Sequence, residues 1–394
     1  MKKTLIVQKF GGTSMGTLES IQRVAKHVLN AKALGHQVVV VVSAMAGETN
    51  RLLSLAKNID PVPHARELDA LLACGEQMSM TLLAMTLQQQ GVAAISLTGQ
   101  QAGIYTNDQH NDATISHIDI ARVERELDQD QIVIVAGFQG VNALGDITTL
   151  GRGGSDTSAV VLAGYLSAAE CQIFTDVDGV YSCDPRLVKS AQRFDCIDFP
   201  TMTMMARAGA KVLHLPCVEY AQQHSVPLRV LSTFDNHVGT LVKGEQMNPS
   251  TRGISVQKDL SLLSFAHHER LAVEKQCQIL AIDIFQYLEN KETCSIVIKR
   301  DCVDRLLLAR AVQHVERQEV SLVSLIGSGV ERHRAAIVEL LERDCMDNVA
   351  LQARDNLVAV LMTPSKLDSV ANMLHRVYVE SLAIDANDCA LSTV

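Results

Sequence analysis

The sequence predicts an α/β protein in which a three-layer domain with a mostly parallel sheet is followed by two small ferredoxin-like βαββαβ units. Three observations carry this. From the start to about Gly244, apolar β-branched runs (TLIVQKF, HQVVVVVSA, AAISLTG, QIVIVAGFQG, CQIFTDVDG, PLRVLST) alternate with helical patterns. Strands that read as continuous Val/Ile runs are buried on both faces, which implies a parallel sheet covered by helices. The stretch VKGEQMNPSTRGIS then gathers glycine, Asn-Pro-Ser and charge between two patterned regions, as a linker does. Beyond it, short strands (LSLLSFA, AIDIFQYLE, CSIVIKR, VSLVSLIG, LVAVLM) alternate with helical segments (VDRLLLARAVQHV, ERHRAAIVELLERD, SKLDSVANMLHRVY) in a weak repeat. These readings place a first domain at 1–244 and a second region at 255–394, with the last residues, DANDCALSTV, expected as a loose tail.

Composition narrows the function classes. The 394 residues are 47% hydrophobic and 20% charged, and no apolar run approaches the ~20 residues that span a bilayer. The opening MKKTLIVQKF is broken by Gln8 and Lys9 and fails as a signal peptide. Ten cysteines are scattered without a C-x-x-C pair, which fits reduced thiols in the cytoplasm. A net charge of −9 excludes a broad nucleic-acid surface and leaves small anions held by locally concentrated cations.

Taken in order, the elements present several candidate anion sites. The first strand delivers Lys9 and then Gly11 and Gly12, before a helix carrying Leu18, Ile21, Val24, Ala25, Val28 and Leu29 with Thr17 as N-cap and Gly35 as stop. Thr17, where a P-loop needs lysine, rules out that motif, and no G-x-G-x-x-G follows a strand. Bare backbone, helix N–H groups and a lysine point charge can still cradle phosphate; alone, the stretch fits an ordinary turn equally well. SAMAGETN ends the second strand with Ser43, Gly47 and Thr49 in a loop, and LLACGEQMSM puts Glu76 in an apolar helical stretch. A buried carboxylate there needs a partner such as Arg152, unless the residue simply faces water. His110, Asp112 and His117 lack metal-ligand spacing and read as structural or solvated.

TTLGRGGSDTSAVVLAGYL sets Arg152 between glycines, with Ser155 and Asp156 at the cap of the next helix; GRGG in isolation reads as a flexible turn, and its place between a strand and a capped helix favours a second anion site. FTDVDGVYSCDPRLV follows a strand with Asp176, Asp178, two turns and Arg186, and is either a nucleotide loop or a pair of solvated turns. GAKVLH adds Lys211, a further phosphate ligand or, taken by itself, a lone surface lysine, and the methionines of TMTMMARAG read as core filler. Neither a G-x-S-x-G elbow nor a Cys/His nucleophile arrangement is present.

In this order, KFGGTS, SAMAGETN, GEQMS, GFQG, GRGGSD, TDVDGVYSCDPR and GAKVLH resemble the aspartate kinases of the amino acid kinase superfamily, whose domain is carbamate kinase-like; the second region resembles paired ACT domains. The resemblance implies transfer of the γ-phosphoryl group of MgATP to the side-chain carboxylate of L-aspartate, the opening step of aspartate-family amino-acid biosynthesis. It assigns Lys9 to the transferring phosphoryl, with Gly11 and Gly12 beside it, and Asp156 to orientation. Arg152 falls on a substrate carboxylate, while Thr49, Glu76 and Ser155 position the amino acid. Thr175, Asp176, Tyr181, Arg186 and Lys211 fall where the family holds ATP, and Mg2+ comes bound to phosphate oxygens and water. A homodimer through the ACT region is implied, with lysine or threonine as effector. The first ACT turn, within SLLSFAHHERLAVEKQCQILA, lacks the glycine of the family pattern, whereas SLIGSGVERHRAAIVELL keeps Gly327 and Gly329. The competing readings are an amino-acid sensor without activity and another kinase of the superfamily.

Overall fold

The computed structural model describes residues 3–235, 237–280, 282–289, 293–308, 315–343 and 350–381; the expected DANDCALSTV tail lies outside them. The chain packs into two compact units, one of Met1–Val180, Arg193–Thr203 and Lys211–Gln246, the other of Tyr181–Gln192, Met204–Ala210 and Met247–Val394. The second unit therefore takes in two stretches that precede the linker in sequence.

Up to Gln246 the elements are β1 (Leu5–Phe10), α1 (Leu18–Ala33), β2 (Gln37–Val42), α2 (Glu48–Ile59), α3 (Ala65–Gln89), β3 (Ala94–Leu97), β4 (Ile104–Thr106), β5 (Ile115–Ile118), α4 (Ala121–Asp128), β6 (Ile132–Ala136), β7 (Gln139–Val141), β8 (Ile147–Thr149), α5 (Gly154–Tyr165), β9 (Glu170–Thr175), β10 (Cys196–Ile197), α6 (Phe199–Arg207), α7 (Leu215–Gln223), β11 (Leu228–Ser232) and β12 (Thr240–Val242). The main sheet runs β10-β12-β11-β9-β1-β2-β6-β3 and is parallel except where β11 meets β12. Strand alternation sorts its side chains. Ile6, Phe10, Val38, Val40 and Val42 join α1 and α3 in one core cluster, while α5 packs against β1, β2 and β9. A second, four-stranded sheet, β5-β4-β7-β8, goes beyond the sequence reading, because strands this short leave no periodic signal.

Helix α3 is long and apolar enough to cross a membrane by composition. Instead Met80, Leu83, Ala84 and Leu87 pack it into the core of the first unit, and it carries the buried carboxylates Asp69 and Glu76. The methionines Met202 and Met205 are buried as core filler, and the cysteines among the described residues are free thiols.

The second unit contains β13 (Arg252–Ala266), α8 (Arg270–Ile279), β14 (Gln286–Glu289), β15 (Thr293–Lys299), α9 (Val303–Leu308), β16 (Glu316–Gly327), α10 (Arg334–Arg343), β17 (Ala350–Arg354), β18 (Leu357–Met362) and α11 (Leu367–His375). They form one antiparallel sheet, β14-β15-β13-β16-β18-β17. Two sets of short strands were expected; β13 and β16 are instead long and serve both repeats. Residues Leu260–Ala266 pair with β15, whereas Arg252–Gln257 pair with β16 alone, across a bulge. The first βαββαβ repeat therefore uses the later half of β13, and the second takes its fourth strand from the earlier half. Arg252–Ser255, read as linker, are strand. The turn holding Gly327 and Gly329 is also occupied: both N–H groups donate to Asn356, to its carbonyl at 3.1 Å and its side-chain oxygen at 2.9 Å respectively.

Candidate active site

On β1, Lys9 points to the face opposite Phe10, where α5 lies. Its side chain is buried and its Nζ stands 2.6 Å from Asp156 Oδ1 in the first turn of α5. The strand then ends in Gly11, whose N–H donates to the Phe174 carbonyl at 3.3 Å. A Cβ on Gly11 would lie 3.5 Å from Lys9 Nζ, and one on Gly12 would lie 3.3 Å from the Ala44 carbonyl oxygen. The N–H groups of Gly12, Thr13 and Ser14 donate to no protein acceptor among the described residues. Helix α1 follows only after this turn, with Thr17 accepting from the Ser20 N–H as the expected N-cap. The result is a desolvated cation beside open backbone donors.

Glu76 supplies the opposite charge. It is 4% exposed; Oε1 accepts from the Ala44 N–H at 3.0 Å, and Oε2 has no partner among the described residues. Burial raises its pKa to about 7, partly offset by the Ala44 N–H. The expected partner, Arg152, is not there: Arg152 is exposed and makes no ion pair among the described residues. A backbone N–H at the end of β2 takes that place, reached because Gly75 lets α3 approach to where a Cβ would stand 2.8 Å from Ala44. Thr49, expected in a loop, lies half-buried in the first turn of α2, which Gly47 caps at φ +81°.

Ser155 and Asp156 are not the cap of α5, as was expected. Gly153 at φ +69° starts that helix by its left-handed backbone, leaving both side chains inside the first turn. Ser155 is buried against the end of β6, where a Cβ on Gly137 would be 2.9 Å from the serine Cβ. Phe138 then adopts φ +68°, strain of the kind that collects at functional sites. On the other side of Arg152, a Cβ on Gly153 would run 2.2 Å from the His214 ring.

The nucleotide candidates are more dispersed. Thr175 follows Phe174 at the end of β9, and its hydroxyl donates to Asp176 at 3.0 Å. Asp178 pairs with Arg193 at 3.0 Å, and Lys211 is exposed. Tyr181 and Arg186 belong to the second unit, where Arg186 forks onto Asp184 at 2.8 Å and 3.0 Å. The first unit thus gathers Lys9, Gly11, Gly12, Ser155 and Asp156, with Glu76 joined through Ala44. Ala44, Gly75, Phe138 and His214 escaped the sequence reading, because a backbone donor or a close approach has no residue-type signature.

Among the described residues no group of three or more His, Cys, Asp or Glu could hold a metal. His110 bonds to buried Asp69 at 2.8 Å, and His117 stacks on Tyr105 at 4.6 Å. A groove of about 620 Å³ between β5, α5 and α7, lined by Tyr165, Glu219, Tyr220 and His224, includes none of the candidate residues.

Residues 4–232 match the amino acid kinase family. An aspartate kinase of Stutzerimonas stutzeri is 40% identical over 95% of this chain and 97% of its own. The chain belongs to the aspartate kinases of that family. An aspartokinase of Geobacillus stearothermophilus is 39% identical over 95% of this chain and 97% of its own. Escherichia coli aspartokinase III, solved with aspartate and ADP, has a TM-score of 0.76 at 27% identity, with 94% of this chain and 99% of that one covered. The same enzyme solved with lysine and aspartate gives 0.77.

Proposed function

We propose that this aspartate kinase transfers the γ-phosphoryl group of MgATP to the side-chain carboxylate of L-aspartate, giving 4-phospho-L-aspartate and ADP. The observation that carries the reading is the pairing of buried Lys9 with half-buried Asp156 at 2.6 Å, set beside the open N–H groups of Gly12, Thr13 and Ser14. The acceptor carboxylate, with a pKa near ~4, is already ionised, so no general base is required. Its oxygen attacks the γ-phosphorus while the bond to the β-phosphate oxygen breaks and its electrons leave with ADP. The obstacle is anion meeting anion. Lys9 and the turn amides offset it where charge builds, and Asp156 holds the lysine in line.

The unpartnered oxygen of Glu76 suits the ammonium of aspartate, and the open guanidinium of Arg152 suits its α-carboxylate, with Thr49 and Ser155 as polar contacts. Thr175, Asp176, Tyr181, Arg186 and Lys211 take the nucleotide by motif. Magnesium enters as part of the substrate, carried by ATP phosphate oxygens and water. The enzyme is further read as a cytoplasmic homodimer through its C-terminal repeats. Lysine is the first effector to test, since the E. coli relative was solved with it, and threonine the second.

Incubation with MgATP and aspartate, with hydroxylamine as trap, tests the central reading. Hydroxamate should form with aspartate and not with glutamate or without acceptor. No hydroxamate with aspartate would leave a sensor, and equal yield with glutamate another kinase.

A further inference from the structure

Asp69 lies fully buried on α3 and touches none of the groups assigned above to the transfer. A carboxylate in that position survives only with its oxygens satisfied, and here they are. Thr149 Oγ1 donates to Oδ1 at 2.5 Å, His110 Nδ1 donates to Oδ2 at 2.8 Å, and the Asn111 N–H reaches both oxygens at 3.1 Å and 3.0 Å. Three separate stretches of chain, α3, the turn before β5 and the end of β8, meet on this one side chain.

Each of those stretches leads to the amino-acid site. Thr149 is followed by Leu150, Gly151 and Arg152. Asn111 holds φ +67°, a strained geometry for a residue other than glycine, and its N–H is the one Asp69 grips. The same turn abuts the arginine loop, because a Cβ on Gly151 would lie 2.6 Å from Asp112 Oδ1 and 3.4 Å from the Asn111 carbonyl oxygen. The Ala113 N–H closes the platform on the Thr149 carbonyl at 2.8 Å. Along α3, Asp69 and Glu76 share a face about two turns apart.

We infer that Asp69 is a positioning residue that fixes the Arg152 loop relative to Glu76 and so sets the length of amino acid the enzyme accepts. This rests on the reading that Arg152 and Glu76 hold the two ends of the substrate. Asp69→Asn keeps the shape but turns an amide NH2 toward donors, so the platform under Gly151 loses its lock. The KM for aspartate should rise about tenfold, with the KM for MgATP unchanged within about twofold, and the preference for aspartate over glutamate should fall. Adding Asn111→Gly should recover part of the loss, since glycine holds a positive φ unaided. A residue that merely stabilised the fold would show neither the split between substrates nor this rescue.

Steady-state kinetics on the full chain decide it. Arg152→Ala is the control: if it leaves the KM for aspartate unchanged, the underlying reading of the site fails, whatever Asp69 does. If Arg152→Ala raises that KM while Asp69→Asn leaves both it and the glutamate preference unmoved, the inference is overturned. Should Asp69→Asn fail to fold by circular dichroism, Thr149→Val removes one of the bonds at similar volume. It should then raise the KM for aspartate about threefold without moving that for MgATP, and an unchanged value overturns the inference equally.

Discussion

Lys9 and Arg152 are both cations placed at the ends of strands in the first unit, and they are held in opposite ways. Lys9 is buried, paired with Asp156 at 2.6 Å and walled in by the β1–α5 contact. Arg152 is exposed, unpaired among the described residues and carried between two glycines at φ +69°. The difference matches their proposed tasks. Charge that builds in a transition state gains most from a partner already aligned and desolvated. The fixed charge of an incoming amino acid needs a partner that can leave water and close on it, and such a partner acts mainly on binding.

The strongest test of this contrast is Lys9→Ala. Turnover should fall by about a thousandfold or more, with a smaller change in either KM; steady-state kinetics showing turnover within tenfold of wild type would remove the lysine from the chemistry. Next comes Arg152→Ala, for which the KM for aspartate should rise about tenfold to a hundredfold while kcat changes only a few-fold. An equal loss in kcat would erase the distinction between the two cations.

Glu76 gives a smaller and pH-dependent effect. Its folded-state pKa of about 7 lies above the ordinary 4.5, so between those values the native protein holds a proton that the unfolded chain has lost. Stability therefore falls as pH rises from about 4.5 to about 7 and levels off above, a component of up to about 3 kcal/mol. Glu76→Gln should flatten that slope in denaturant titrations at a series of pH values. In the wild-type enzyme the KM for aspartate should fall as pH rises through about 7, because the ionised form holds an ammonium; a flat profile would separate Glu76 from the substrate.

How much of this was legible follows from what leaves a local trace. The parallel sheet was, because QVVVVV and IVIVA are short and β-branched, the mark of strands buried on both sides. The long β13 was not. Lys258-Asp259, at its bulge, with Asp259 at φ +57°, interrupts the apolar pattern, so only LSLLSFA reads as strand and the residues up to Ser255 read as linker. Nor could any local pattern reveal that Tyr181–Gln192 packs with the second repeat, where Cys183 and Val188 join the core of β16, β18 and α11. Within the site, Lys9, Gly11, Gly12 and Asp156 stood out as residue types in glycine-rich turns. The amide of Ala44 did not, since every residue carries one. Asp69 could have been found: it sits in the same apolar helical stretch as Glu76, and the argument that a carboxylate there needs partners applies to both.

The order in which β13 lends its halves has a lasting consequence for how this chain can be altered. Its earlier half completes the repeat that ends nearest the C-terminus, and its later half opens the repeat in between. Neither repeat can be excised, swapped for a homologue or released by a protease without stripping a strand from the other. A change in either repeat must then come residue by residue, because the pair is inherited as one piece.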